Sequence, residues 1–190
     1  SNHKNKIYQM PINLEKIKNF FNKNFSPEEA KQFILKKTNK FKNYKFKNFE
    51  DKAMSQIGEE LYSAFIKGYT QKQWGKNPKK LPESIFNRLP IRYSYNEDYY
   101  QQTQHQGIPK YGYTNIFNNL VKNKKISVKY NESFNLGYEI KPNYFTIYTG
   151  PLDLLFKYKF GKLEWRSLLF KKKYHKVKDH QGSAVVNFPD

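Results

Sequence analysis

From Leu14 to Gly68 the apolar residues recur three and four positions apart, and that spacing commits the segment to helices. Leu14, Ile17, Phe20 and Phe21 share one helical face, and Ala30, Phe33 and Ile34 form a second stripe. Ser26-Pro27-Glu28-Glu29 reads as a helix opening. Ser26 can cap, Pro27 suits the first helical position, and Glu29 can reach back to close a capping box. Asn48 is placed to cap a longer helix with Ala53, Met54, Ile57, Leu61, Ala64 and Phe65 on its inner face, and Gly68 is expected to end it. Lys40 to Phe49, an alternation of lysine, asparagine and aromatic residues, reads as an exposed connection, with strand as the alternative.

The second half changes period. Arg92 to Tyr95, Ile126 to Tyr130, Tyr144 to Tyr148, Leu163 to Phe170 and Ala184 to Phe188 carry strand signals, with short helices expected near Thr114–Val121 and Leu152–Tyr158. The expected class is α+β: a helical bundle followed by a mainly antiparallel sheet with short helices. The expected domains are residues 1–11 as a strand or linker into the sheet, 12–90 as a helical substrate-binding part, and 91–190 as a mixed sheet part.

The chain has 190 residues, 37% hydrophobic and 18% aromatic, enough to bury a core. Its net charge of +19 points to phosphate-bearing partners, a nucleotide or a nucleic acid. The excess is nearly all lysine, scattered from Lys16 and Lys36 to Lys157 and Lys172. A nucleic-acid binder gathers such charge on one face, so compositional bias is the preferred reading and nucleic acid is not the expected partner. Cysteine is absent, which removes disulfides and thiolate metal sites and fits a cytoplasmic location. No apolar run approaches the roughly 20 residues needed to span a bilayer, so no membrane segment is expected. Ser1-Asn2-His3-Lys4 lacks a signal-peptide core.

The usual catalytic patterns are missing. There is no Gly-x-Ser-x-Gly elbow, no P-loop and no Gly-x-Gly-x-x-Gly dinucleotide fingerprint. His175 and His180 do not match a metal spacing and read as surface residues, so no metal is expected. Glu28/Glu29 and Glu59/Glu60 are adjacent in sequence and read as a cap and solvated faces rather than acid/base pairs.

Two features remain. Gly68-Tyr69-Thr70-Gln71-Lys72-Gln73-Trp74-Gly75 places two flat rings beside an expected helix end. They could stack on a base or sugar, a contact worth on the order of 1–3 kcal/mol, or fill a core. The chain also has only three arginines, Arg88, Arg92 and Arg166. Arg88 and Arg92 flank a Leu89-Pro90 bend with Tyr99 close behind. A guanidinium fork and a phenol there could hold a diphosphate, or make ordinary ion pairs.

Together these segments resemble the UDP-galactopyranose mutase family. The resemblance is carried in order by Gly68–Gly75, Pro78, Leu81-Pro82, Arg88-Leu89-Pro90-Ile91-Arg92-Tyr93, Gln106-Gly107-Ile108-Pro109 and Gly112-Tyr113-Thr114. It continues through Tyr148-Thr149-Gly150-Pro151, Phe160 to Leu168 and Gln181 to Asn187. It implies an isomerase that interconverts UDP-galactopyranose and UDP-galactofuranose, the precursor for bacterial galactofuranose polymers. Reduced FAD would be the nucleophile, with no net redox change, so no catalytic side chain is expected within this chain.

By the same resemblance Tyr69 would stack on uracil, with Phe65, Ile66 and Thr70 lining that end and Trp74 against the ribose and sugar. Arg88, on a mobile loop, would close over the diphosphate, and Tyr99 would donate to a phosphate. Thr149, Gly150 and Pro151 would approach the flavin. Asn19 stands where a glutamine is expected near the uracil, Ile66 replaces a phenylalanine found in some members, and Tyr111 replaces a glycine. The glycine-rich fingerprint is missing. The chain is therefore expected to be the middle of a longer member, binding UDP or UDP-galactose weakly, not holding FAD, inactive alone, and able to form homo-oligomers. The rivals are a basic nucleic-acid-binding module and a non-catalytic interaction domain.

Overall fold

The computed structural model describes residues 1–98, 104–134 and 145–189. The chain folds as two compact units, Ser1–Gln101 with Arg166–Asp190, and Gln102–Trp165.

The first unit opens with a short antiparallel hairpin, β1 (Asn2–His3) and β2 (Lys6–Ile7), paired Asn2 to Ile7 and His3 to Lys6. Its turn runs through Lys4 and Asn5 at positive φ. α1 (Leu14–Phe21) begins at Asn13, whose side chain accepts from the Lys16 N–H at 2.9 Å. α2 (Pro27–Thr38) begins as its sequence foretells. Ser26 Oγ accepts from the Glu29 N–H, and Glu29 Oε2 accepts in return from the Ser26 N–H. That contact holds the exposed Glu29 carboxyl below its ordinary pKa. α3 (Phe49–Leu61) is capped by Asn48, which accepts from the Asp51 N–H at 3.0 Å.

These helices bury the face that their spacing marks. Leu14, Ile17, Ala30, Ile34, Ala53, Ile57 and Leu61 meet in one core, and Met54 and Phe33 pack against it half-buried. Lysine stems cover the aromatic edges, with Lys37 Nζ 5.1 Å from the Phe21 ring centre and 5.0 Å from that of Phe33. Tyr62 donates to Glu50 Oε2 at 2.6 Å inside the core. Burial, and then the Glu50 carboxylate, push the Tyr62 phenol well above its ordinary pKa.

The end of α3 departs from expectation. Gly58 interrupts it at φ 79°, ψ 164°, a backbone state glycine adopts without strain. Gly68 does not end the helix. The chain widens into a π-helical stretch, Tyr62–Lys67, and continues as α4 (Gly68–Trp74). The stop falls at Gly75, in the left-handed region at φ 59°, whose N–H donates to the Gln71 carbonyl. A helix-ending glycine needs the chain to turn left-handed, and Gly68, at φ −64°, does not.

The sheet is smaller among the described residues than expected. Among the described residues the only strands are β1 and β2, so the expected mainly antiparallel sheet is not formed by them. Ile91 makes a single parallel bridge to Ile12, with the Arg92 N–H donating to the Ile12 carbonyl. Ile126–Tyr130, Leu163–Phe170 and Ala184–Phe188 run without a ladder, as do Phe145–Tyr148; Tyr144 lies outside the described residues. Alternation marks a segment able to pair, but a ladder needs a partner at the right register.

In the second unit α5 (Tyr113–Leu120) and the single turn α6 (Leu152–Leu155) stand where short helices are expected. No helix among the described residues is long and apolar enough to cross a membrane.

Candidate functional site

The widened turn and α4 build the wall of a cavity. Residues four apart on a helix stand above one another. Phe65, Tyr69 and Gln73 form one ridge, and Ile66, Thr70 and Trp74 form the ridge beside it. All six line a cavity of about 830 Å³ within the first unit. That volume falls among small-molecule sites, which run from about 300 to 1,000 Å³. The ridges are graded in depth. Phe65, Ile66 and Thr70 are buried, Trp74 is half-buried, and Tyr69 stays 39% exposed.

Arg88 reaches the same cavity from another element. It ends a 3₁₀ stretch, Glu83–Arg88, anchored by Phe86, which is fully buried against Phe49 with ring centres 5.5 Å apart. With Phe86 fixed inward, Arg88 two residues on is exposed at the rim. Glu97 lines the cavity too. The irregular segment 182–187, which bends through Gly182 at φ 66°, contributes Gly182, Ser183, Val185 and Asn187. It is tied down by the Asn2 N–H donating to the Asn187 carbonyl at 2.7 Å and by Lys72 Nζ donating to the Phe188 carbonyl at 2.9 Å. Arg166 Nε donates to the Trp74 carbonyl at 3.0 Å and so caps the end of α4.

The structure therefore brings Phe65, Ile66, Tyr69, Thr70, Trp74 and Arg88 to one cavity. It does not bring Asn19 there. Two residues beyond the buried Ile17, Asn19 points out of α1 and is exposed. Arg92 is a structural residue: it is buried, and its Nη1 donates to Asn96 Oδ1 at 2.8 Å. Tyr99 lies outside the described residues. Thr149, Gly150 and Pro151 belong to the second unit, in an exposed bend where a Cβ on Gly150 would lie 2.5 Å from the Tyr148 hydroxyl oxygen. His175 and His180 stack on the surface with ring centres 3.6 Å apart. Among the described residues no group of three or more potential ligands could hold a metal.

Sequence reasoning passed over Lys16. Its side chain is 1% exposed, with Nζ 2.8 Å from Met10 Sδ and 4.0 Å from the centre of the Phe65 ring. Desolvation pulls its pKa from 10.5 down to about 7. The signal was present in the helical spacing. Asn13, Lys16, Ile17 and Phe20 fall on one face, so a lysine stands on an inward stripe.

The family model for UDP-galactopyranose mutase matches residues 64–190. A probable UDP-galactopyranose mutase of Klebsiella pneumoniae is 40% identical over 182 residues, covering 96% of this chain and 46% of that protein. A dTDP-fucopyranose mutase of Escherichia coli is 34% identical over 195 residues, covering 100% of this chain and 51% of the relative. A UDP-galactopyranose mutase of Mycoplasma pneumoniae is 34% identical over 131 residues, covering 64% of this chain and 33% of that protein. The chain spans about half the length of the first two of these relatives. With the family model matched across most of its length, cavity wall included, the chain belongs to the UDP-galactopyranose mutase family.

Proposed function

We propose that this chain supplies the nucleotide end of an isomerase that interconverts UDP-galactopyranose and UDP-galactofuranose. The observation supporting this is the pair of i, i+4 ridges facing one cavity, with an arginine at its rim. Tyr69 stacks on the uracil, with Phe65, Ile66 and Thr70 enclosing the base. Trp74 packs against the ribose and sugar. Arg88 grips the diphosphate with a planar fork that lysine lacks, and its closure excludes water from the reacting sugar.

The reaction of such an enzyme calls for reduced FAD. The described residues do not fit that cofactor. A dinucleotide cradle sets glycine backbone N–H groups at a helix N-terminus on a parallel sheet, and neither the glycine pattern nor such a sheet occurs among them. No chemical step is therefore assigned to side chains of this chain. Its residues bind, orient and enclose the nucleotide sugar.

A titration followed by Trp74 fluorescence tests this, with Trp165→Phe leaving one indole. UDP is expected to quench the signal saturably. Arg88→Ala should weaken binding roughly tenfold or more, as for a lost charge-assisted contact of about 1.5–3 kcal/mol. No response at millimolar UDP would overturn the reading. With added FAD and a reductant, this chain alone is expected to show no turnover of UDP-galactose by chromatography. Measured turnover would contradict the division of labour proposed here.

A further inference from the structure

Lys16 stands one side chain behind the cavity wall. The two groups its ammonium touches, Met10 Sδ and the Phe65 ring, both belong to cavity-lining residues. Neither is an oxygen acceptor. Among the described residues no carboxylate lies within 4 Å of Nζ. An ammonium carries three donors, and a buried donor without an oxygen partner is costly to keep. Aliphatic residues would fill this space without that cost.

We propose that Lys16 is a further recognition residue of the site, a concealed donor that an oxygen of the bound nucleotide recruits. This rests on the nucleotide reading above. The shared chemistry is an oxygen acceptor, either a base carbonyl or a phosphate oxygen. The lysine stem, pivoting beside Met10, carries Nζ toward the cavity, and the acceptor holds it in the charged form.

The surroundings favour such coupling. Desolvation already brings the amine to the balance point between neutral and charged near pH 7. A hydrogen-bonding oxygen or a nearby negative charge shifts that balance toward the protonated form. The other titratable groups on the segment ahead of α1 are the Ser1 amine, whose positive charge repels that of Lys16, His3, whose ring lies 5.5 Å from that of Phe65, the exposed Lys4 and Lys6, and the buried Tyr8, whose ring lies 5.0 Å from that of Phe65. On α1 itself Glu15 and Lys18 flank it, half-buried, and in the π-helical stretch Lys67 is exposed. None of these supplies an acceptor to Nζ.

Calorimetry in two buffers of different ionisation enthalpy tests the proposal, using uridine and UDP-galactose, whose uracil and diphosphate diester do not titrate between pH 6 and 8. The unaltered chain is expected to take up protons on binding above pH 7, and its affinity should fall on the order of tenfold between pH 6 and 8. Lys16→Met should abolish the uptake and flatten the profile, whereas His3→Gln should leave both. Uptake with both ligands assigns the acceptor to the base, and uptake with UDP-galactose alone assigns it to phosphate. Binding of UDP-galactose without proton uptake, or uptake that survives in Lys16→Met, overturns this inference and leaves the nucleotide reading intact. No binding of either ligand overturns both.

Discussion

Lys16→Met is expected to stabilise the chain by on the order of 3 kcal/mol at pH 6–7, an advantage that fades toward pH 10. The sign follows from proton counting. The folded pKa of about 7 lies below the ordinary 10.5. Between those values the unfolded chain holds a proton that the folded chain has lost, so stability rises with pH across the window. Below pH 7 both states are charged, and the full burial penalty is present. Above about pH 10 both are neutral, and it is gone. The depression alone, at about 1.4 kcal/mol per pH unit, would give nearly 5 kcal/mol. Attraction to the Phe65 face offsets part, about 0.5–2 kcal/mol. Methionine keeps most of the volume and carries no charge. Urea denaturation at pH 6.5 and pH 10 checks this, and an equal effect at both values, or a loss at pH 6.5, would contradict it.

Phe65→Ala is expected to cost about 3–5 kcal/mol and to end nucleotide binding, whereas Phe65→Leu should keep the fold and lose several-fold in affinity. Phe65 is 2% exposed, and its ring lies 5.0 Å from Tyr8 and 5.3 Å from Phe20. It also carries the Lys16 ammonium on its face. One ring therefore joins α1, the N-terminal hairpin and the cavity wall. Truncation empties a site that three elements share, so collapse around it is limited. Thermal unfolding and UDP titration of the two variants separate the effects.

The helical half was legible because its signals are local. Ser26 and Glu29 cap each other within one turn, Asn48 caps its own helix, and the apolar stripe from Ala53 to Phe65 buries the face that its spacing marks. The two rings of Gly68–Gly75 and Arg88 were legible as site candidates because few residue types can stack on a base or fork a phosphate. Three things were not legible. The widening at Tyr62–Lys67 leaves no mark in the apolar spacing, and it holds Phe65 and Ile66, the first residues of the two ridges. The strand signals of the second half state a capacity to pair, and pairing depends on residues distant in sequence. Asn19 was placed by likeness of position, while helical phase turns it outward.

The central claim is that one cavity, walled by Phe65 to Trp74 and rimmed by Arg88, receives the nucleotide. Hydrogen–deuterium exchange of the chain with and without saturating UDP tests it most directly. Slower exchange confined to peptides covering residues 65–75 and 85–89 is the result the account predicts. Protection elsewhere with those peptides unchanged would contradict it.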